Sequence, residues 1–129
     1  MRIVYDDAKQ KDFVALVDQF LDLLNVRCVT EYDYGMDRVQ RPLVKQKLQS
    51  FLKARSNFYI GDKVTHAHGI GNNCNYPVYF PTANETQHCA NININSGLYG
   101  EVFVSVENYN GKRISRAYEL TQHGISCRY

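Results

Sequence analysis

The sequence predicts a single α+β domain in which two N-terminal helices pack on a curved antiparallel sheet of about five to six strands. Three observations predict it. Apolar residues have helical spacing in the first half of the chain, strand-type alternation dominates the second half, and a length of 129 residues suits one hydrophobic core. We therefore expect residues 1–129 to form one domain without an internal linker.

Two segments have the apolar spacing of amphipathic helices. Over residues 8–24, apolar side chains recur every three or four positions and leave charged residues for solvent. A second helix is expected to begin near Pro42, because proline suits the first helical turn, where its missing N–H costs nothing. Between the two helices, alternation over residues 26–32 predicts a short strand.

The second half of the chain has the signals of an antiparallel meander. Asn110-Gly111 predicts a two-residue type I′ turn between its last two strands. That register places Phe103 opposite Tyr118 and leaves the alternating valines of the preceding strand for the core. The predicted strands are 58–68, 76–80, 90–95, 101–107 and 112–120.

Charge is unevenly distributed along the chain, although the formal net charge is only +2. Residues 38–63 contain seven basic side chains and one acidic one, and residues 112–129 contain four basic side chains and one acidic one. Two locally basic segments are compatible with a phosphate-bearing ligand. Nucleic acid is a weaker candidate, because dedicated nucleic-acid domains are more basic overall.

The chain contains no apolar run of the length of a membrane span, so no membrane partner is expected. Its first residues turn acidic at Asp6 and Asp7 and lack the apolar core of a signal peptide. A cytoplasmic location is therefore predicted, in which the four cysteines would stay reduced.

The leading hypothesis is a small ligand-binding module that holds a nucleotide or another phosphate-bearing molecule without turning it over. Asparagine and isoleucine alternate over residues 91–95, so that the amides face away from the core. An aromatic ring beside a guanidinium can stack a base and hold a phosphate, and amides can bind the base edge. The predicted binding residues are Asn91, Asn93, Phe103, Arg113, Arg116 and Tyr118. A solvated sheet face or a homo-oligomer interface is the competing interpretation.

A second hypothesis is a histidine-based phosphodiester hydrolase. An extended segment would place the imidazoles of His66 and His68 on the same face, where they would act as catalytic groups with or without zinc. A metal-free version would combine one histidine, with His123 among the candidates, with Arg113 or Arg116. The candidate zinc ligands are His66, His68, Cys74 and His88.

A third hypothesis is a protein-binding inhibitor of the kind that phages and mobile elements encode. Asparagine and tyrosine are abundant and tryptophan is absent. This composition is typical of polar recognition surfaces, and also of genes from AT-rich bacterial or phage genomes. An inhibitor of this kind would need neither a small ligand nor a metal.

Overall fold

The computed structural model describes residues 2–33, 36–62, 64–65 and 74–128. Within these residues the helices are α1 (Gln10–Leu23) and α2 (Arg41–Arg55), with a short 3-10 helix at Val26–Val29. The strands are β1 (Arg2–Tyr5), β2 (Thr30–Asp33), β3 (Met36–Val39), β4 (Tyr59–Ile60), β5 (Val64–Thr65), β6 (Cys74–Pro81), β7 (Glu85–Ser96), β8 (Val102–Glu107), β9 (Ala117–Thr121) and β10 (Gly124–Arg128).

Eight of the described strands form one sheet in the order β10-β9-β8-β7-β6-β4, with β5 also paired to β6 and β1 to β7. The pairs are antiparallel except that of β1 and β7, which is parallel. Strands β2 and β3 form a separate hairpin. The predicted α+β class, with helices packed on an antiparallel sheet, is confirmed. The sheet is larger than predicted because β1 and β10 add to it and because the predicted strand 58–68 contributes two short strands, β4 and β5.

One face of the sheet, which we call the inner face, forms the core with both helices. Phe13 and Val17 of α1 and Leu48 of α2 are fully buried, as are Ile92 and Ile94 of β7. Phe13 and Val17 are four residues apart on α1, and Leu48 lies on the apolar stripe of α2. The two helix predictions are therefore confirmed. Neither of the described α-helices has the length and hydrophobicity needed to cross a bilayer.

The prediction of a strand over residues 26–32 is wrong in its first part. Val26–Val29 forms a 3-10 helix, and the strand begins only at Thr30. The reason is local, because Oδ1 of Asn25 accepts a hydrogen bond from the backbone N–H of Arg27 at 3.0 Å and caps the turn. Alternating apolar residues were therefore compatible with a structure that is not a strand.

The hairpin of β8 and β9 has a different register from the predicted one. The loop runs over five residues, 108–112, and Oδ1 of Asn108 accepts hydrogen bonds from the N–H groups of Asn110 and Lys112. Beyond the loop, residues 114–116 are irregular and β9 begins only at Ala117. Val104 therefore pairs with Tyr118, and the predicted pair of Phe103 with Tyr118 is wrong by one residue.

Candidate functional site

Two of the predicted binding residues are amides on the face of the sheet opposite to the helices, which we call the outer face. Asn91 and Asn93 are half-buried there, and they alternate with the fully buried Ile92 and Ile94. Phe103 of β8 is half-buried on the same face. The alternation predicted for residues 91–95 is therefore present in the structure.

Tyr118 lies on the inner face, contrary to the prediction. Its side chain is only 6% exposed, and its hydroxyl donates a hydrogen bond to Oδ1 of Asp18 on α1. Burial, and then the bond to Asp18, raise the pKa of Tyr118 far above its ordinary value. The ring is thus a core residue whose polar atom is satisfied, and it is removed from the candidate binding set.

Three of the other candidate residues lie outside β7 and β8. Arg113 and Arg116 are exposed and follow the loop, and the backbone of Arg113 forms an isolated β-bridge with that of Glu107. His123 lies in the turn between β9 and β10 and lines a separate groove beside the end of α1. The structure therefore does not bring His123 together with His88.

The candidate zinc ligands divide between the two faces of the sheet. His66 and His68 lie outside the described residues. Cys74 is buried on the inner face, whereas His88 is half-buried on the outer face, so these two side chains cannot bind one ion. In the described ranges, no group of three His, Cys, Asp or Glu side chains is placed to hold a metal ion.

A β-bulge brings His88 to the outer face. The register of β6 and β7 shifts between Val78 and Tyr79, so that Val78 pairs with Ala90 and Tyr79 with His88. Cys89 is the additional residue, and like Ala90 it is fully buried. Strict alternation from Asn91 would have placed Cys89 outside and His88 in the core. The bulge therefore exchanges a thiol for an imidazole on the outer face.

His88 is the centre of a continuous row of rings across the outer face. Its ring centroid is 5.1 Å from that of Tyr5 on β1 and 5.4 Å from that of Tyr79 on β6. The row continues from Tyr5 to Tyr109 at 5.0 Å and from Tyr79 to Tyr59 at 5.2 Å. Tyr5, Tyr59 and Tyr109 are each at least 40% exposed. Such a row is typical of surfaces that stack planar ligands.

Polar groups converge beside these rings in a cleft of about 460 Å³ between β1, β7 and β6. Nε2 of His88 and Oδ1 of Asn91 are 2.8 Å apart. An amide oxygen only accepts, so in this contact Nε2 is the donor. Oδ1 of Asn75 also belongs to the cleft, is shielded from solvent, and has no hydrogen-bond partner among the described residues.

A glycine makes room for the Tyr79 ring. A Cβ atom on Gly61 would lie 2.6 Å from Cε2 of Tyr79 and 3.0 Å from Cγ of Pro77. The N–H of Gly61 donates to the carbonyl of Pro77 at 2.8 Å and holds this segment against β6. The cleft wall at Tyr79 thus depends on a residue without a side chain at position 61.

The cleft is lined by the aromatic rings of Tyr5, Tyr79 and His88, by two amides, and by Ile3 and Pro77. Burial raises the pKa of Tyr79, and the neighbouring phenols of Tyr59 and Tyr5 and the carboxylate of Asp62 act in the same direction. Tyr79 therefore remains a neutral hydrogen-bond donor throughout the physiological pH range. The cleft is suited to a planar molecule with donors and acceptors on its edge, and it holds no cation for a phosphate among the described residues that line it.

Sequence reasoning missed the rings of Tyr5 and Tyr79. The segment Arg2–Tyr5 has the composition of a strand, and this composition could have indicated that Tyr5 belongs to the sheet. Tyr79 lies in a correctly predicted strand, but its importance depends on the pairing with His88. The alternation of residues within one strand does not show which residue of the neighbouring strand lies opposite a given ring.

The fold is an α+β domain with a ring-lined cleft on the outer face of its sheet. Comparison of the chain with family models, with curated proteins and with solved structures found no match.

Proposed function

We propose that this protein is a small ligand-binding module that binds a nucleotide, without turning it over, and that the base lies in the outer-face cleft. The observation that carries the proposal is the convergence of Tyr5, His88 and Tyr79 with the amides of Asn91 and Asn75. The sequence suggested the ligand class, whereas the residues now assigned to it, apart from Asn91, come from the geometry.

The chemistry of the cleft favours a base as the bound part of the ligand. Stacking of a base on an aromatic side chain contributes about 1–3 kcal/mol and requires exposed ring faces, which Tyr5 supplies. The NH₂ group of Asn91 can donate to the edge of a base, because the contact with His88 uses only its Oδ1. A volume of about 460 Å³ is within the ordinary range of small-molecule sites.

The proposal assigns binding and no reaction. Apart from Ile3 and Pro77, the described side chains that line the cleft are aromatic rings and amides, and Nε2 of His88 is hydrogen-bonded to Asn91.

Isothermal titration with a panel of nucleosides and nucleotides tests the proposal. We expect at least one base to bind with a Kd of order micromolar, equivalent to about −8 kcal/mol. Tyr5→Ala and Asn91→Ala should each weaken that binding about tenfold or more, which corresponds to about 1.4 kcal/mol. Tyr5 is a suitable position because its ring is 65% exposed, so the fold does not depend on it.

Phe103→Ala is the matched control. Phe103 lies on the same outer face but does not line the cleft, and we expect its loss to leave the Kd unchanged. Absence of heat with every member of the panel would contradict the proposal. An equal loss of affinity in Phe103→Ala would move the site to β8.

A further inference from the structure

A second cavity lies on the other side of β6, against α2. It has a volume of about 600 Å³ and its walls come from the first half of α2, from Ile60 and from Tyr76. Arg41, Lys45 and Gln49 follow one another at intervals of four residues, which places them on one side of the helix, and all three line the cavity. The outer-face cleft contains none of these side chains.

The polar groups of this cavity are held in place and are mostly donors. Nη1 of Arg41 donates a hydrogen bond to Sγ of Cys74 at 2.6 Å. A guanidinium has five N–H donors, so this bond leaves others to bind a ligand. Nζ of Lys45 lies 4.7 Å from the centroid of the Tyr76 ring. Oε1 of Gln49 accepts from the N–H of Ile60 at 2.9 Å, so its NH₂ group is left to donate.

Tyr76 supplies the floor of the cavity and is only 6% exposed. Burial raises the pKa of Tyr76, which keeps its phenol protonated. The ring also fixes the position of Lys45 through the cation–π contact. A neutral phenol and two cations thus share one cavity with the amide of Gln49.

The positive charge of the cavity is not neutralised within the described structure. None of the described lining residues is acidic, and the ion pair between Arg2 and Glu85 lies elsewhere. The other cations of α2 do not extend the site along the helix. Lys47 and Arg55 line a different groove, where the Arg55 guanidinium lies 3.9 Å from the centroid of Phe51.

We propose that this cavity binds the phosphate monoester group of a small molecule. A guanidinium fork and an ammonium on adjacent helical turns match the charge and the oxygens of a phosphate dianion. Because only Arg41 and Lys45 face the cavity, the charge is concentrated at one point and does not form the extended stripe that a nucleic-acid backbone requires. The site is independent of the outer-face cleft.

Titration with inorganic phosphate and with methyl phosphate at pH 7.5 and low salt tests this proposal. We expect saturable binding with a Kd of order millimolar or tighter. Lys45→Gln should weaken it at least tenfold. Lys53→Gln is the control, because it removes the same charge from the same helix at an exposed position outside the cavity, and it should leave the Kd unchanged.

Three outcomes would overturn the proposal. The first is absence of saturable binding, and the second is an equal loss in Lys45→Gln and Lys53→Gln, which would indicate a general charge effect. The third is equal affinity for dimethyl phosphate, a diester with a single negative charge, which would remove the assignment to a monoester. Arg41→Lys gives a second measure, since it keeps the charge but loses the fork, and we expect it to weaken binding several-fold.

The two proposals fail separately. Lys45→Gln should retain the binding of an unphosphorylated nucleoside in the outer-face cleft, and Tyr5→Ala should retain the binding of methyl phosphate. Circular dichroism and the Tm of both variants should match those of the unmodified protein, because Tyr5 is exposed and Lys45 is only partly buried.

Discussion

The hairpin of β6 and β7 and the hairpin of β8 and β9 each depart by one residue from simple alternation, with opposite results. In the first, the extra residue Cys89 moves into the core and His88 emerges on the outer face beside Tyr79. In the second, the five-residue loop shifts the register and takes Tyr118 from the outer face to the core. One irregularity builds the candidate site and the other removes a residue from it.

The comparison teaches that the face of a strand residue is a property of the pair of strands. A one-residue slip moves every following side chain to the opposite face. Bulges and loop lengths cause such slips, and they are held by backbone hydrogen bonds to the partner strand. The chemistry of an outer face therefore depends on a few positions that themselves contain no functional group.

The largest expected difference is between the two tyrosines. Tyr118→Ala should lower the free energy of unfolding by about 3–5 kcal/mol, because it leaves a cavity in the core. Tyr79→Ala should lower it by only about 1–2 kcal/mol, since its half-buried ring loses less apolar contact. Urea unfolding of both variants measures the difference. Equal losses would mean that the two rings do not lie on opposite faces.

A smaller effect is expected from the thiol of Cys89, the residue that the bulge places in the core. Burial raises the pKa of Cys89 to about 11, against an ordinary value of 9.0. Below pH 9 the thiol is neutral in both states and has no effect. As the pH rises towards 11, the unfolded chain releases the proton first, so the native state should lose about 2 kcal/mol of stability by pH 11.

The measurement for Cys89 is urea unfolding under reducing conditions at pH 8, 9.5 and 11, with Cys89→Ala as reference. The variant should be less stable at pH 8 because of the cavity it leaves, and the difference from the unmodified protein should shrink as the pH rises. A difference that stays constant with pH would show that the thiol is accessible to water.

The smallest expected effect concerns the loop of the second hairpin. Gly111 has φ of +86°, a conformation that side chains disfavour, and no other atom lies within 4 Å of the place of a Cβ. Gly111→Ala should therefore cost about 1 kcal/mol through backbone strain alone. Gly111→Asn should cost less, because asparagine tolerates this conformation better. A neutral alanine variant would imply that the loop can relax to a negative φ at position 111.

Local periodicity predicted the parts of the fold that depend on one segment. The spacing of Phe13, Val17 and Leu21 identified α1, and the alternation of Ile92 and Ile94 identified the inner face of β7. Each of these residues is buried because of its position on its own helix or strand. A pattern within a single element is enough to find it.

The parts that the sequence did not predict depend on partners distant in the chain. Tyr5 reaches His88 only because β1 pairs with β7 more than eighty residues later. Asn91 was predicted for the site, but its neighbours there were expected to be Phe103 and Tyr118 and are instead His88 and Tyr79. The cavity beside Lys45 likewise requires Tyr76 to lie against α2. The sequence showed only that residues 38–63 are rich in basic side chains.

The parallel pairing of β1 also has a consequence for the association of whole molecules. β8 pairs with β7 only along Asn91–Ser96, and β1 occupies the same side of β7 along Glu85–His88. Without β1, that stretch of β7 would present free N–H and C=O groups to any extended chain in solution. The first strand therefore pairs backbone groups of β7 that would otherwise be open to pairing with a second copy of the chain.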